Sequence, residues 1–437
     1  MQIHTGATLY YKQCSIDQRT ICNLISNLRC KKSPGVDNVT TENLQYGISD
    51  SLCLILSNVF SVMLSRHVVE NDMLIGNIVP VLKKPTLNPN LPSNYRPITV
   101  STCYSKLLEL CLLPKHEDAK CSNTQFGFRK GLGTDMACSF ANDLISYFND
   151  KGSPVFACNL DAEKCFDRVW HDGLFYKLLS KVEFSHWLLL YEWYSNLKAC
   201  IKWNGYVSQP FNVTRGIRQG SLLSPVFFTY FIDDLLQELN NTDIGLRIGH
   251  LLFNHFAYAD DVSLFAANVP GLQALINLCN DYANRWRFVF GFAKTTCIIF
   301  GDHKFSSIPV WTLGDNAVEC VNSVNILGVH FRNDLSSSAH VQTRISAARR
   351  KAFSLLKAGL TYPGLATNVK VYLWKMSVCP ILLSGGHSIF VSPSDTRLLE
   401  SFQSTHIKRI FGFPIRYHHS KLLEALGIKP VSAHFHA

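Results

Sequence analysis

Two neighbouring acids, Asp260 and Asp261, stand where an otherwise apolar stretch folds back on itself, between LLFNHFAYA and VSLFAA. This pattern over Leu251 to Ala266 predicts a β-hairpin whose tight turn carries both carboxylates. Like charges side by side in a partly dry site raise each other's pKa unless a cation intervenes. A solvated turn is the competing explanation, because Asp is common in turns. The aromatic and apolar arms weigh against it.

A third acid has a similar setting. Val155 to Leu160 is a short apolar run that ends in Asp161, the pattern of a buried strand delivering a carboxylate at its tip. Oxygen-only ligands suit Mg²⁺, which takes one or two carboxylates and keeps positions open for water and phosphate. Asp161, Asp260 and Asp261 are therefore expected to hold two ions, about 3.5–4 Å apart in sites of this kind. One ion lowers the pKa of an attacking hydroxyl, and the other holds a triphosphate and stabilises the leaving pyrophosphate. Mn²⁺ is a substitute of the same kind.

The remaining sequence must supply a scaffold and a polyanion surface. At 437 residues and 47% hydrophobic, the chain can bury two or three subdomain cores. Lys plus Arg number 42 against 32 for Asp plus Glu, a formal charge of +10 that favours nucleic acid or an acidic membrane surface. The 15 cysteines are odd in number, scattered through apolar stretches and without a C-x-x-C pair. They are expected to be reduced thiols in an intracellular protein, cytoplasmic or nuclear, with no zinc site. The N-terminus lacks the basic and apolar blocks of a signal peptide. Val371 to Val391 is the best membrane candidate, but Lys375, Pro380 and Gly385-Gly386 interrupt it. A buried helix, turn and strand are expected there instead, and no membrane partner.

Along the chain, Ile21, Leu24, Ile25 and Leu28 mark an amphipathic helix, residues 50 to 65 a second helix, and Ile75 to Leu82 a strand running into Lys83-Lys84. A helix is expected from Trp170 to Leu179. Gly216 to Gly220 reads as a loop, and Ser224-Pro225 starts a helix through Leu239. From about Ser336 the chain reads as helical and basic, with Arg344, Arg349, Arg350, Lys351 and Lys357. A helix of this kind can follow phosphates, although a solvated helix face explains the same charges.

Several strings together resemble one family. Phe256-Ala257-Tyr258-Ala259-Asp260-Asp261 resembles the reverse-transcriptase active-site hairpin, and Asn159 to Asp167 its first catalytic motif. Arg218 to Pro225 resembles the intervening motif, while Asn94 to Ile98 and Gln125 to Arg129 look like finger motifs. The flavour is that of non-LTR retrotransposons, LINE-like and jockey-like, from about Ser15 to Pro414. Ser33 to Asp37 and Ile326 to Val329 belong to the resemblance as well. It implies an α+β, right-hand polymerase fold: fingers over 1–154, a palm with an antiparallel sheet and catalytic hairpin over 155–330, and a helical basic thumb with a C-terminal extension over 331–437. The reverse-transcriptase domain is expected at approximately 75–332.

The resemblance also implies roles. Asp161 and Asp260 match the two indispensable metal ligands, and Asp261 the weaker third. Phe166 matches the aromatic beneath the sugar, whose bulk excludes a 2′-hydroxyl. Gln219 and Gly220 match the motif that packs on the incoming nucleotide, and Arg96, with Lys83 or Lys84, the groups that contact its triphosphate. Solvated strand ends explain the two lysines equally well. Lys294 looks like a proton donor to pyrophosphate, with a structural lysine as the alternative, because the preceding Gly291-Phe292-Ala293 departs from the pattern. Arg344, Arg349, Arg350 and Lys351 fall where the thumb contacts template and primer. Asp167 and Glu163 are expected as helix-start and salt-bridge residues.

The expected partners are an RNA template, a DNA primer and deoxynucleoside triphosphates. The first 30 residues leave no room for an endonuclease domain, so the expectation is a truncated element with endonuclease supplied in trans. His434 and His436 have no cysteines nearby to form a knuckle, and Leu107 to Gln125 looks shorter than the family norm. Three functions from different classes compete: an RNA-directed DNA polymerase, a catalytically decayed or repurposed nucleic-acid-binding protein, and an RNA-directed RNA polymerase. The last conflicts with Phe166.

Overall fold

The computed structural model describes residues 15–113, 121–301 and 308–435. Part of the shortened Leu107 to Gln125 stretch, the first 14 positions and His436 lie outside the described residues. The chain divides into two compact units, each gathered from separated segments: residues 1–123, 162–237 and 282–289 in the first, and 124–161, 238–281 and 290–437 in the second. Both mix helix and sheet, as the α+β expectation requires.

The second unit is built on a six-stranded sheet. Its order is Trp311–Leu313, Asn316–Cys320, Thr296–Phe300, Val155–Asp161, Asp261–Ala266 and His255–Tyr258. Pairing is antiparallel except between Thr296–Phe300 and Asn316–Cys320, which run parallel. Val155–Asp161 is central, and its first four residues are all buried. A strand covered on both faces reads as a continuous apolar run, not as an alternation. Helix Thr134–Asn149 packs on it through Ala141 and Ile145, in a core that includes Phe256, Phe265, Ile298 and Phe300. A small hairpin, Ser323–Ile326 with Val329–Arg332, turns through Leu327 and Gly328, both at positive φ. Such a pair matches the right-handed twist of the strands it joins.

Beyond that hairpin, helices Ser338–Lys357, Thr367–Ser377 and Pro393–Phe411 enclose a second core around Trp374, Leu399 and Ile407. The stretch Val371 to Val391 is helix, a short helix Cys379–Leu383 and a turn, without the strand expected there. Among the described residues no helix is long and apolar enough to cross a membrane.

The catalytic-type hairpin is shorter than its sequence suggests. Leu251–Phe253 pairs with Leu246–Ile248 in a separate two-stranded sheet. The break falls at buried Asn254, whose amide donates to the carbonyls of Leu239 and Ile244 and to the Thr242 hydroxyl. An apolar count reads Leu251 to Ala259 as one arm, but the satisfied side chain of Asn254 splits it.

The first unit holds a five-stranded sheet. Ile75–Leu82 pairs antiparallel with Tyr95–Val100 and parallel with Lys198–Trp203, which also carries Tyr206–Val207 and Phe211–Asn212. Helices Gln18–Ser26 and Asp50–Arg66 are capped by Asp17 and Ser49, whose side chains accept from the amides of Thr20 and Leu52. These two helices pack together and bring Cys22 and Cys53 into a disulfide, with Cα atoms 5.6 Å apart. This corrects the expectation that the cysteines are all reduced. Helix packing makes the pair, and linear spacing does not reveal it. The other described cysteines remain thiols, most of them buried.

Phe265 is fully buried at the centre of the second unit's sheet core, stacked on Phe256. Phe265→Ala is expected to lower unfolding free energy by about 3–5 kcal/mol. Urea denaturation of the two chains checks this; a loss near zero would mean that the core relaxes around the cavity.

Candidate active site

The register of three strands gathers the acids. Asp261 is the Cα partner of Asp161 on one side and of Tyr258 on the other. The hairpin turn is therefore Ala259 and Asp260, with Asp261 already the first residue of its strand. Ala259 has φ +57°, a left-handed conformation at the first of two turn positions, where glycine is ordinarily favoured. Asp260 is half-buried at the tip. The turn thus places one acid on itself and one at its exit, next to a third on the neighbouring strand.

Lys294 joins this group. Its Nζ lies 2.9 Å from Oδ2 of Asp161. The loop that carries it is tied to the strand tip by the Gly291 N–H, which donates to the Asp161 carbonyl at 2.8 Å. Behind the acids the Ser263 hydroxyl donates to Asn159 Oδ1. A cavity of about 350 Å³ opens here, lined by Asp161, Asp261, Lys294, Asn159, Ser263 and Asn325 among others.

Electrostatics mark the same place. Desolvation by the surrounding chain, then the like charges of Asp260 and Asp161, push the Asp261 carboxyl up to about 6, while Lys294 pulls the other way. One side of Asp261 still faces solvent, so water screens part of this repulsion. Among the described residues no three His, Cys, Asp or Glu side chains converge closely enough to enclose an ion. The donor chemistry nevertheless fits a divalent cation: three carboxylates at adjoining positions supply hard oxygen ligands, and their mutual repulsion is what such a cation removes. With Asp161 directed to Lys294, the site is an open cluster instead of a closed cage.

The residues expected to handle the nucleotide belong to the first unit. Phe166, in the helical turn Cys165–Arg168, is half-buried and stacks on Phe228 with ring centres 5.1 Å apart. Its carbonyl accepts from the Ile217 N–H at 2.8 Å, which ties the first motif to the loop before Gln219. The Gln219 side-chain amide donates to Asp167 Oδ1 at 2.8 Å. Its carbonyl accepts from the Thr99 N–H at 2.7 Å. Gly220 has φ +121°, and a Cβ there would sit 2.7 Å from the Thr99 carbonyl oxygen, so the loop requires glycine at this point. Arg96 is exposed on its strand opposite Val81. Lys83 donates from Nζ to the Ser93 carbonyl, and Lys84 is exposed.

One contributor to this loop, Glu109, carries no motif signal, and two motif residues, Arg218 and Asp167, make contacts that the sequence does not reveal. Buried Glu109 accepts from the Leu222 N–H at 2.8 Å, and burial pushes its carboxyl up against the pull of that amide and of Arg218. Arg218 itself is buried and donates to the Leu74 carbonyl at 2.7 Å. Asp167, expected as a helix-start residue, also holds Gln219. Glu163 forms the anticipated salt bridge, with Arg168 at 2.7 Å. An acid inside the apolar helix Cys103–Leu112 was the one available hint of Glu109.

The four thumb-type residues all lie on helix Ser338–Lys357. Arg349 and Arg350 are exposed and Lys351 is half-buried. Arg344 is half-buried with its Nε enclosed, and burial first, then its charge, lower the pKa of both His330 and His340.

A hairpin with two acids beside a third, on a mixed sheet, has the arrangement expected of a nucleotidyl-transfer palm. Residues 81–331 match the family described as reverse transcriptase (RNA-dependent DNA polymerase), and the chain belongs to that family. The family has the right-hand polymerase fold and generally uses divalent metal ions. Curated relatives include the RNA-directed DNA polymerase from mobile element jockey of Drosophila funebris, 24% identical over 82% of this chain and 39% of that protein. Its Drosophila melanogaster counterpart is 23% identical over 90% of this chain and 43% of that protein. These relatives agree with the jockey-like resemblance of the motifs. The chain spans about two fifths of their length. A solved telomerase from Candida Tropicalis, in complex with a fragment of telomeric RNA, is 12% identical, with a TM-score of 0.43 over 87% of this chain and 68% of that one.

The raised pKa of Asp261 has a stability consequence. Its folded value near 6 exceeds the ordinary carboxylate value of 3.8. The contribution is therefore full below about pH 4 and is lost as pH rises through about 6. In EDTA, the native chain is expected to lose melting temperature over that window, and Asp261→Asn to lose less. Parallel melting curves for the two chains would remove the assignment.

Proposed function

We propose that this chain is the polymerase portion of a non-LTR retrotransposon reverse transcriptase, an RNA-directed DNA polymerase that extends a DNA primer on an RNA template. The observation that carries the reading is the register pairing of Asp161 with Asp261 beside the turn acid Asp260. The match over residues 81–331 supports the same reading.

In this reading the primer 3′-oxygen forms a bond to the α-phosphorus of a deoxynucleoside triphosphate, the bond from that phosphorus to the α,β-bridging oxygen breaks with its electron pair leaving on pyrophosphate, and the hydroxyl proton passes to water. Two Mg²⁺ ions, when bound, supply Lewis acidity and charge neutralisation. Asp161, Asp260 and Asp261 would hold them, with Mn²⁺ able to substitute. Lys294 balances Asp161 in the metal-free chain and is the candidate proton donor to pyrophosphate. Gln219 and Gly220 form the nucleotide-facing loop, and Phe166 excludes a 2′-hydroxyl. Arg96, with Lys83 or Lys84, binds the triphosphate.

Residues 1–154 are assigned to fingers, 155–330 to palm and 331–437 to thumb, with Arg344, Arg349, Arg350 and Lys351 following the template–primer backbone. The enclosed Nε of Arg344 favours Arg349 and Arg350 as the principal phosphate contacts. The proposed location is intracellular, in cytoplasm or nucleus, where an RNA template is available.

Asp260→Asn is expected to reduce Mg²⁺-dependent extension by orders of magnitude while template affinity stays nearly unchanged, because it removes a metal ligand and leaves the basic surface intact. Primer extension and filter binding decide this; near-native extension would sink the ligand assignment. Phe166→Val is expected to raise ribonucleotide incorporation relative to deoxynucleotide in single-addition competition. Unchanged discrimination would return Phe166, stacked on Phe228, to a packing role.

A further inference from the structure

We propose that Gln125 is a positioning residue that clamps the catalytic turn in its left-handed conformation, so that Asp260 and Asp261 are presented to metal without a refolding cost. The inference rests on the polymerase reading, because it assigns how the acids are held.

The geometry is local and complete within one unit. Gln125 is fully buried. Its side-chain Oε1 accepts from the Ala259 N–H at 2.9 Å and from the Gly127 N–H at 2.8 Å. Its Nε2 is 3.4 Å from the Ala259 carbonyl oxygen, at the long end for a hydrogen bond. One amide side chain therefore meets both polar groups of the residue that has φ +57°. A non-glycine residue in that conformation persists only where its surroundings over-determine it, and the glutamine is such a surrounding.

The backbone on either side holds the glutamine in place. The Phe126 N–H donates to the Ala257 carbonyl at 2.8 Å, and the Ala257 N–H to the Thr124 carbonyl at 2.9 Å. Residues 124–126 thus form a parallel bridge along the outer edge of the hairpin. Thr124 Oγ1 is hydrogen-bonded to His255 Nε2 at 2.7 Å. Gly127 completes the fit: a Cβ there would lie 2.2 Å from the Ala259 nitrogen, so the chain can press against the turn only as glycine. Arg129 closes the segment by donating from Nη1 to the Gln125 carbonyl at 3.2 Å. Within the string Gln125 to Arg129, which resembles a finger motif, Gln125 and Phe126 hydrogen-bond to the hairpin.

The consequence is chemical because two of the acids follow Ala259 directly. If the turn relaxes to a negative φ, Asp260 and the start of the next strand reorient together. Metal binding must then restore the turn before it can engage the carboxylates. Gln125 removes that step by holding the ligands ready.

The test uses the full chain with Gln125→Met, which keeps volume but loses the two polar contacts to Ala259 and the one to Gly127. Hydrogen exchange of the metal-free protein, read on a peptide covering residues 255–262, is expected to rise about tenfold, the scale of one lost buried hydrogen bond. Peptides from helix Ser338–Lys357 should not change. Mn²⁺ affinity, read by the spectroscopic signal of the free ion, is expected to weaken several-fold, and the Mg²⁺ concentration for half-maximal extension to rise to match. Adding Ala259→Gly, which takes positive φ without strain, should recover much of the Mn²⁺ affinity.

Unchanged exchange at the turn, or weakening spread evenly over the chain with no recovery by Ala259→Gly, would overturn the clamp. If Gln125→Met does not fold, Gln125→Asn, one methylene shorter and still polar, is measured in its place: faster exchange confined to the turn supports the clamp, and unchanged exchange overturns it. Asp260→Asn separates the underlying reading: if that variant still extends primers at a near-native rate, the metal-ligand assignment on which the clamp rests fails whatever the exchange data show. If it does not extend and the turn is unaffected by loss of Gln125, only the clamp fails.

Discussion

The site depends on the register between Val155–Asp161 and Asp261–Ala266, which sets two carboxylates opposite each other at the end of a buried sheet. A slip of one residue would turn every side chain of the second strand to the other face. It would part the acids and exchange Val262, Leu264 and Ala266 with Ser263 and Phe265, which are packed against the opposite and equally buried face. The apolar core therefore enforces a juxtaposition that electrostatics alone opposes. Like charges that would splay in a free hairpin are held together because Phe256, Phe265, Phe300 and Ile298 fix the strands beneath them.

The structure compensates that repulsion at several atoms. Lys294 neutralises Asp161 from outside the hairpin, on a loop anchored to the strand by its own backbone. Desolvation and neighbouring charge raise Asp261 instead of forcing it to stay fully ionised. A divalent ion would take over both tasks, since it brings more charge to the acids than one ammonium can. Were such an ion bound, the exposed Lys294 side chain could yield Asp161 to it without disturbing the sheet.

Much of this was legible in the sequence because the deciding features are local. An apolar run ending in Asp161, an acid pair between apolar arms, and Ser224-Pro225 at the head of a helix each announce themselves within a few residues. What escaped depends on contacts distant in sequence. The arm Leu251 to Phe253 leaves the catalytic hairpin because Asn254 finds three acceptors in the segment around Leu239 to Ile244. Cys22 and Cys53 meet only because two helices pack. Glu109 reaches Leu222 across 113 positions, and nothing in the spacing of either suggests the other.

The loop before helix Ser224–Asn240 shows why such distant contacts matter for chemistry. Its glycine at position 220 gives close approach to Thr99 but contributes no rigidity of its own. Rigidity comes from partners: Thr99 on the Gln219 carbonyl, Asp167 on the Gln219 amide, and Glu109 on the amide of Leu222. Burying Glu109 costs free energy unless its oxygens are satisfied, and the Leu222 amide with the nearby Arg218 supplies that satisfaction. The arrangement is reciprocal. The loop stabilises a carboxylate that the apolar helix could not otherwise hold, and the carboxylate fixes a loop that glycine would leave loose. Short motifs such as Arg218 to Ser221 therefore acquire a defined shape only from residues outside the motif.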